Sequence, residues 1–580
     1  MHRPRVLVIG AGLAGTATAI RLLQFARKPL EIVLLERRHD YRYAGVAYHR
    51  DGNPWDHVFN IQAGRMSAFR EDVNDFVRWA NHEADRSAWT PQWKDFTFVE
   101  HGPAPRRIYH DYLTDRVAQA RAEAYPGVEL TEMDGEAVAL GIETGHVAVS
   151  VQRQNTETLT ADHVILATGM ELKQPAFATG VLDHDAFIRY PYSTDGVRRL
   201  TATPPGASVV IVGTVLSAYD SVALLLRQGH TGPIHLVSKS GTTPRTYPED
   251  HEHGVIQLPA PTSLFAPYGG RAEFLTRVRT EWEAACAAVT ADHPGMDRRI
   301  VTERVAKAWE PYLPRVIERI PTDDLHALLR DFSTPIASLR VGAVSYTTSV
   351  VEEAMGAGRG QVELVVGTVD RVEPGDSGRL RVRVAAPDGA REIPADLVVC
   401  NFAREFDYTN VGSALWMNLL ANNLVTPHQR TSRGIEINQR GTPLRPDGEP
   451  VERLSAIGVM REGDEIVRNG RTGAFAFNLA AIKNHSIVVA AHVVERLEHD
   501  DTHGDLFDEA VALEVKRMAA RSRSEREQYD VQLANHPGSG LHPRAAISQA
   551  AVRRLTDISV TPRQLRRQLG ISTDEEAEYP

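Results

Sequence analysis

The feature that most constrains this chain is a run of spaced glycines, Gly10-Ala-Gly12-Leu-Ala-Gly15, between an apolar stretch and a helical pattern. Residues Arg5–Ile9 before it are typical of a buried strand, and residues 16–23 after it have one apolar face. A second apolar stretch over residues 31–35 ends at Glu36, which predicts a βαβ unit with an acid at the tip of its second strand. Such a turn lets the backbone approach a pyrophosphate, while the acid accepts hydrogen bonds from ribose hydroxyls. The first unit is therefore predicted to hold an ADP moiety.

The same scheme of strand, glycine turn and helix returns later, at residues 208–212, Gly213 and residues 219–227, and it closes with a strand at residues 233–237. Further strands, predicted to extend the two sheets, are expected at residues 163–167, 362–366, 380–384 and 397–400. Residues 271–331 have a charged helical pattern, which we interpret as an insertion packed on the second unit. These patterns predict an α/β fold with two Rossmann-like dinucleotide-binding domains, a helical insertion and a helical C-terminal tail.

The domain organisation follows from the order of these units. We expect the first dinucleotide-binding domain to be discontinuous, over residues 1–200 plus 395–495, and the second to span residues 201–394, including the insertion at about 271–331. Residues 496–580 are predicted to form a helical extension. Its signals are apolar residues at helical spacing after about residue 498 and a capped pattern over residues 561–570.

Composition and charge exclude several classes of partner. The formal net charge is -10, and no dense Lys/Arg run offsets it, so we expect no nucleic-acid partner. The two cysteines, Cys286 and Cys400, lie in no CxxC or metal-ligand spacing, so neither a disulfide framework nor a zinc site is predicted. No signal peptide or membrane span is visible, and we expect a cytoplasmic protein. Residue spacing leaves the oligomeric state open, with a homodimer as one option.

Two further segments favour FAD in the first unit. Residues 162–169 form an apolar strand ending in Ala-Thr168-Gly169, which resembles the second FAD fingerprint of flavoproteins that bind two dinucleotides. Residues 457–464 resemble their late flavin motif in loosened form. The predicted FAD contacts from these motifs are Gly10, Gly12, Leu13, Ala14, Gly15, Glu36, Arg37, Thr168, Gly169 and Asp464.

The second unit reads Gly213-Thr214-Val215-Leu-Ser217-Ala218, so the later glycines of the fingerprint are replaced. Polar and cationic residues follow the predicted strand at residues 233–237, where the adenosine ribose of a dinucleotide would lie. Because a cation beside this ribose favours a 2′-phosphate, the second unit is predicted to prefer NADPH over NADH. The predicted contacts are Gly213, Thr214, Ser217, Ser238, Lys239 and Arg245. The alternatives are a purely structural Rossmann-like unit and a solvated turn with ordinary surface charges.

Several motifs together resemble a known family. Besides the two glycine turns they are Gly45-Val-Ala-Tyr48, residues 57–69 and residues 106–113. They are similar to bacterial FAD-NAD(P)-binding proteins related to the N-hydroxylating flavin monooxygenases, over roughly residues 4–490. Within that family the chain looks most like the L-aspartate N-monooxygenases, the nitrosuccinate synthases. It departs from the family at Gly213-Thr-Val215 and at Cys400-Asn401-Phe402, where many relatives have Cys-Thr-Gly.

The resemblance implies a monooxygenase that uses FAD, NADPH and O₂. A buried flavin C4a-hydroperoxide would oxidise the amine of a small acidic amino acid, by way of the hydroxylamine, toward nitrosuccinate. The resemblance places Asn60, Arg65, Met66 and Ser67 near the flavin ring. Two substrate carboxylates would need bidentate arginines, for which the candidates are Arg404, Arg433, Arg461 and Arg471. Asn478 is a further candidate for substrate binding, and it follows a small apolar segment at residues 473–477 that could face the flavin.

Alternatives stay open for these residues and for the function. Met66 and Phe69 could be simple core, Arg65 could form a surface ion pair, and each candidate arginine could lie on the surface. The competing functions are a flavin monooxygenase that oxygenates carbon or sulfur in another metabolite, and a non-catalytic FAD-binding redox module.

Overall fold

The computed structural model describes residues 3–70, 72–248, 251, 256–356, 360–401, 404–472, 478–498 and 532. The strands are β1 Arg5–Ile9, β2 Leu30–Glu36, β3 Val128–Asp134, β4 Glu136–Glu143, β5 His146–Gln152, β6 Thr156–Ala161, β7 His163–Leu166, β8 Glu171–Leu172, β9 Phe187–Ile188, β10 Val209–Val212, β11 Ile234–Ser238, β12 Arg245–Thr246, β13 Gly342–Ala343, β14 Val362–Val366, β15 Thr368–Pro374, β16 Leu380–Ala386, β17 Gly389–Ala395, β18 Leu397–Cys400, β19 Arg404–Glu405 and β20 Leu454–Ala456. The helices are α1 Leu13–Phe25, α2 Asp75–His82, α3 Pro91–Lys94, α4 Ile108–Glu123, α5 Thr194–Thr201, α6 Leu216–Arg227, α7 Arg271–Asp292, α8 Arg298–Trp309, α9 Leu313–Arg319, α10 Thr322–Arg340, α11 Ser345–Met355, α12 Ala414–Ala421, α13 Glu462–Asn469 and α14 Leu479–Glu498.

Two five-stranded parallel sheets form the framework. The first has the order β20-β7-β1-β2-β3, and the second has the order β14-β11-β10-β18-β9. The central strand β10 is apolar throughout, and β1 is apolar after its first residue, Arg5. This is expected for strands that are covered on both faces. Helices α4 and α14 pack on α1 beside the first sheet, while α11 packs on α6 beside the second. The predicted α/β fold with two Rossmann-like units is confirmed.

The strand predicted at residues 380–384 does not extend either parallel sheet. It belongs to β16, which pairs antiparallel with β15 and β17 in a separate three-stranded sheet. The reason is visible in its side chains, since Leu380, Val382 and Val384 are buried while the two arginines between them are exposed. This alternation is typical of an antiparallel strand with one solvent-facing side.

Strand pairing also bears on where the two units divide. The second sheet includes β9, which precedes residue 200, and β18, which follows residue 394, so it extends past both boundaries predicted for the second domain. Between the sheets, β8 pairs antiparallel with β19. The chain thus crosses between the two units along a short two-stranded ribbon.

The predicted helical insertion forms α7 to α10 and continues to Arg340. It packs on the second unit, where the Arg245 guanidinium donates to the Ser338 carbonyl at 2.7 Å. Its apolar core also includes Ile466 of α13, and Arg430 donates to the Ile320 carbonyl at 2.8 Å. The insertion therefore contacts the second unit and also bridges to the segment that returns to the first sheet.

The predicted C-terminal extension lies outside the described residues, apart from residues 496–498 at the end of α14 and residue 532. Within the described part of the chain, no helix combines the length and apolar character needed to cross a membrane.

Candidate functional site

The first glycine turn is held by contacts that exclude side chains. Gly10 has a left-handed φ of +100°, and a Cβ on it would lie 2.3 Å from the carbonyl oxygen of Ala167. A Cβ on Gly15 would lie 1.9 Å from the carbonyl oxygen of Gly10. Only glycine allows strand, turn and helix to approach this closely. The geometry is that required of a dinucleotide fingerprint.

The same turn leaves the start of α1 open to an anion. Gly12 precedes the helix and offers no side chain to cap the N–H groups of Leu13, Ala14 and Gly15. Gly45 lies against Gly12, since a Cβ on Gly12 would be 3.4 Å from the Gly45 Cα. Unsatisfied N–H groups and the helix dipole together favour a phosphate at this point.

Glu36 ends β2 at the same edge and is buried. Its Oε2 accepts a hydrogen bond from the Ala11 N–H at 2.8 Å, and its Oε1 accepts one from the Arg38 N–H at 3.2 Å. Burial raises the pKa of this carboxyl group, although the two N–H groups act in the opposite direction. Each oxygen keeps a further lone pair, so the carboxylate can also accept from two ribose hydroxyls. Arg37, also predicted to touch the cofactor, is exposed, with its guanidinium 3.6 Å from Glu136.

The remaining strands of the first sheet bring their motifs to this edge. Thr168 and Gly169 follow β7, and the Trp416 indole N–H donates to the Thr168 hydroxyl at 3.2 Å. Gly458 follows β20 with a φ of +90°, and a Cβ on it would lie 3.4 Å from the Cβ of Ala14. The two flavoprotein motifs therefore meet the glycine turn in space, as the sequence predicts.

The residues expected near the flavin ring separate into two groups. Met66 is completely buried in an aromatic cluster with Phe59 and Trp79, and the Ser67 hydroxyl donates to the Phe69 carbonyl at 3.0 Å. These contacts match the alternative of a core role for Met66. Asn60 and Arg65 are half-buried.

At the second unit, the carboxyl ends of β10 and β11 hold the predicted contacts. Gly213 has a φ of +118°, and the Thr214 and Ser238 hydroxyls are hydrogen-bonded at 2.8 Å. Ser217 lies in the first turn of α6, which has no side-chain cap. Lys239 is exposed next to Ser238. Arg245 is turned away toward the insertion, because it donates to the Ser338 carbonyl.

The four candidate arginines do converge, and all four bind acids of α13. The ion pairs are Arg404 to Glu462 at 2.7 Å, Arg433 to Glu462 at 3.0 Å, Arg461 to Asp464 at 2.9 Å and Arg471 to Glu465 at 3.4 Å. Sequence reasoning missed these partners, although the acidic start of the helix, Glu462-Gly-Asp464-Glu465, was the available signal. Asp464, predicted to bind the cofactor, is also held by Arg468.

Arg461 differs from a simple ion-pair partner. Its side chain is buried, and its Nε and Nη1 have no hydrogen-bond partner among the described residues. Arg461 is the last residue of the turn that begins at Gly458, and Gly458 is the residue that lies against Ala14 at the start of α1. Buried guanidinium N–H groups without acceptors are costly, and a carboxylate is the acceptor they match best.

A second buried cluster lies behind Arg461. His485 bonds to Glu465 through Nε2 at 2.8 Å and accepts from the Gly458 N–H at 3.3 Å. Burial acts to raise the pKa of Glu465, but His485 and Arg471 outweigh it and lower the pKa to about 2. Glu465 is therefore ionised throughout the neutral range and holds α13 against α14.

Asn478 caps α14, since its Oδ1 accepts from the N–H groups of Ala480 and Ala481 at 3.0 and 3.3 Å. The apolar segment at residues 473–477, predicted to face the flavin, lies outside the described residues. The described contacts of Asn478 are thus those of a helix cap.

One link between the units was not anticipated. The Arg106 guanidinium donates to Asp220 of α6 at 2.7 Å, with both side chains 3% exposed, and the Tyr192 hydroxyl donates to the same carboxylate at 2.8 Å. Arg106 also donates to the Val58 carbonyl at 2.9 Å. This buried pair fastens the second unit's helix to the first unit.

Comparisons with known proteins agree with this geometry. Residues 7–171 match the family model described as FAD-NAD(P)-binding. Kynurenine 3-monooxygenase of Salinispora tropica is 31% identical over 176 residues, which cover 29% of this chain and 36% of that protein. The bifunctional tRNA 5-methylaminomethyl-2-thiouridine biosynthesis protein of Chromohalobacter salexigens is 29% identical over 205 residues, covering 29% of this chain and 28% of that protein. The matches thus span about a third of these curated relatives.

Solved structures match over far more of the chain, at low identity. The ornithine hydroxylase of Pseudomonas aeruginosa has a TM-score of 0.52 at 14% identity, covering 86% of this chain and all (100%) of that one. The ornithine N-hydroxylase of Kutzneria sp. 744 has a TM-score of 0.50 at 15% identity, with the same coverage. The cadaverine monooxygenase of Erwinia amylovora has a TM-score of 0.50 at 10% identity, covering 85% and 95%. Residues 7–171 thus match an FAD-NAD(P)-binding family model, and the chain as a whole has an α/β fold similar to that of these three proteins.

Proposed function

We propose that this protein is an FAD-dependent, NADPH-consuming monooxygenase that hydroxylates the amine of a small amino acid. The observation that supports this most is the presence of two separate parallel sheets, each with a glycine turn at its carboxyl edge, joined by the β8–β19 ribbon. In open sheets of this kind, ligands bind outside the carboxyl ends of the strands. One dinucleotide can therefore occupy the first unit while a second delivers reducing equivalents from the other.

The residues of the first unit fit FAD. The uncapped N–H groups at the start of α1 would bind its pyrophosphate, and Glu36 would accept from the adenosine ribose. When bound and reduced, a flavin activates O₂ and supplies an oxygen atom to a nucleophile. The chain's own task is to hold the substrate amine in its neutral form, exclude water and orient the substrate carboxylates.

A disulfide-relay function is not favoured. The sequence has two cysteines, Cys286 and Cys400, and they are not a CxxC pair. A reductase that passes electrons to a disulfide needs two neighbouring thiols.

For the substrate we propose L-aspartate, oxidised by way of the hydroxylamine toward nitrosuccinate. The support is the family resemblance and Arg461, whose Nε and Nη1 lack partners among the described residues. Like Arg461, the other three candidate arginines have carboxylate partners on α13, so a substrate carboxylate would have to compete with these acids. Since the hydroxylamine keeps both carboxylates, the same contacts could hold it for a further round of oxidation.

The experiment is NADPH oxidation and product mass spectrometry with a panel of aspartate, asparagine, alanine, ornithine, lysine and cadaverine. We expect aspartate to accelerate NADPH oxidation and to yield nitrosuccinate, while asparagine and alanine are turned over orders of magnitude more slowly, because the buried Nε and Nη1 groups of Arg461 lose their carboxylate acceptor. Hydroxylation of a diamine or a basic amino acid would refute L-aspartate as the substrate, but it would support the monooxygenase function. If none of them stimulates NADPH oxidation by the flavin-loaded protein, amine hydroxylation of these substrates is refuted, and the two competing functions, a monooxygenase of another metabolite and a non-catalytic redox module, are left.

A matched pair of variants tests the role of Arg461. Both Arg461 and Arg468 donate to Asp464, but Arg468 is 39% exposed. Arg461→Gln should raise KM for aspartate at least tenfold, whereas Arg468→Gln should leave it nearly unchanged, because one charge-assisted contact is worth roughly 1.5–3 kcal/mol. Equal effects of the two variants would show that Arg461 acts only through Asp464.

A further inference from the structure

The strand order of the second sheet identifies where a dinucleotide would cross it. From β10 the chain proceeds to β11 and β14 on one side, and then crosses to β18 on the other side. The crevice at such a reversal is where doubly wound sheets bind dinucleotides, with the adenosine ribose beside the second strand. Here the second strand is β11, followed by Ser238 and Lys239. The half of the dinucleotide beyond the pyrophosphate would therefore lie over the carboxyl end of β18.

Asn401 is the residue at that end. Its N–H donates to the Val212 carbonyl at 3.1 Å, so it continues the pairing of β18 with β10. Its Cβ lies 3.5 Å from the position that a Cβ on Gly213 would occupy. Asn401 therefore lies directly beside the glycine turn of the second unit, on the side opposite Lys239.

One hydrogen bond orients the side-chain amide group of Asn401. The Ser221 hydroxyl of α6 donates to its Oδ1 at 3.4 Å. Its Nδ2 is buried and has no hydrogen-bond partner among the residues that the structure describes. A buried amide nitrogen without an acceptor is unfavourable by about 1–3 kcal/mol, so such a group is expected to have a partner in the working protein.

We propose that Asn401 binds the nicotinamide half of NADPH, by donating from Nδ2 to a ribose or carboxamide oxygen; this rests on the proposed function. This donor would offset a loss in the neighbouring glycine turn. Val215 stands where the fingerprint has its second glycine, the one that lets the backbone approach the pyrophosphate. A side-chain donor on the neighbouring strand supplies a polar contact that the altered turn does not.

The test compares two ligands by isothermal titration calorimetry of the flavin-loaded protein. NADP⁺ contains both halves of the dinucleotide, whereas adenosine 2′,5′-bisphosphate contains only the adenosine half. Asn401→Ala should weaken NADP⁺ binding about three- to tenfold and leave the bisphosphate unchanged, because one hydrogen bond is lost. Asn410→Ala, an exposed asparagine on the same segment, is the matched control and should change neither affinity.

A second variant covers the case in which alanine disturbs the turn. Asn401→Leu keeps nearly the same side-chain size without adding a charge and removes both donors, so it should also weaken NADP⁺ selectively. Unchanged affinity for both ligands, or an equal loss for both, would overturn the assignment. A parent protein that binds neither ligand would instead contradict NADPH use, and so the proposed function.

Discussion

Replacing Glu36 with glutamine tests the first dinucleotide site at nearly constant size. In the structure the two carboxylate oxygens accept from the N–H groups of Ala11 and Arg38, at 2.8 and 3.2 Å. Glutamine has one oxygen, so one of these N–H groups would lose its acceptor, which costs the unliganded protein about 1–3 kcal/mol. One ribose hydroxyl would also lose a charged acceptor, worth roughly 1.5–3 kcal/mol, or about ten- to 150-fold in the Kd for FAD.

The two effects are measured separately. Urea unfolding of the apoprotein reports the first, and quenching of FAD fluorescence on titration into the apoprotein reports the second. Glu129→Gln is the control, because Glu129 lies on the adjacent strand β3 with its side chain 67% exposed. If Glu36→Gln destabilised the apoprotein but left the Kd for FAD within about twofold, Glu36 would serve only to hold the turn, and the reasoning would be refuted.

Three further predictions concern the second site, the link between units and acid stability. Lys239→Ala should raise KM for NADPH about tenfold and leave NADH nearly unaffected, because it removes a contact to the 2′-phosphate; equal losses in steady-state assays would contradict the assignment. Asp220→Asn leaves Arg106 buried without a charged partner, so urea unfolding should show a loss of about 3–5 kcal/mol. The apolar double variant Arg106→Met/Asp220→Leu should restore only part of it, because the Tyr192 hydroxyl and the Val58 carbonyl still lose their partners. The pKa of Glu465 is lowered from 4.5 to about 2, so its contribution of about 3 kcal/mol is complete above pH 4.5 and is lost as the pH falls toward 2. Denaturant midpoints between pH 6 and 3 should therefore fall less steeply for Glu465→Gln than for the parent, and parallel curves would exclude this role.

The glycine turn of the first unit and its flanking elements could be predicted from the sequence because their signals are local, whereas β3 and β20 of the same sheet were not predicted. The three glycines, the flanking strand and helix, and Glu36 lie within 32 residues, from Arg5 to Glu36, and each is required by the backbone geometry of the turn. The later motifs at Thr168 and Gly458 could be placed at the same edge because the carboxyl ends of parallel strands meet there.

The arginines could be predicted only in part. Their convergence was expected, since they follow elements that return to the same edge. Two of their partners could not be predicted, because Arg404 and Glu462 are 58 residues apart and Arg433 and Glu462 are 29 apart. The other two pairs, Arg461 with Asp464 and Arg471 with Glu465, are local, and the acidic start of α13 was their signal. A buried arginine looks the same in sequence whether its carboxylate partner belongs to the protein or to a substrate. Only the geometry shows that α13 supplies that partner.

Helix α6 is held by contacts to both units. Asp220 is held by Arg106 of the first unit, and the next residue, Ser221, donates to Asn401 at the end of β18. Consecutive residues of one helix thus connect the first unit with the crevice of the second sheet. Because both side chains of the Arg106–Asp220 pair are 3% exposed, rotation of the second unit would have to break a desolvated ion pair, which is costly. The second dinucleotide site is therefore built on a helix whose start is fixed by the first unit, which favours a stable relation between the two cofactors.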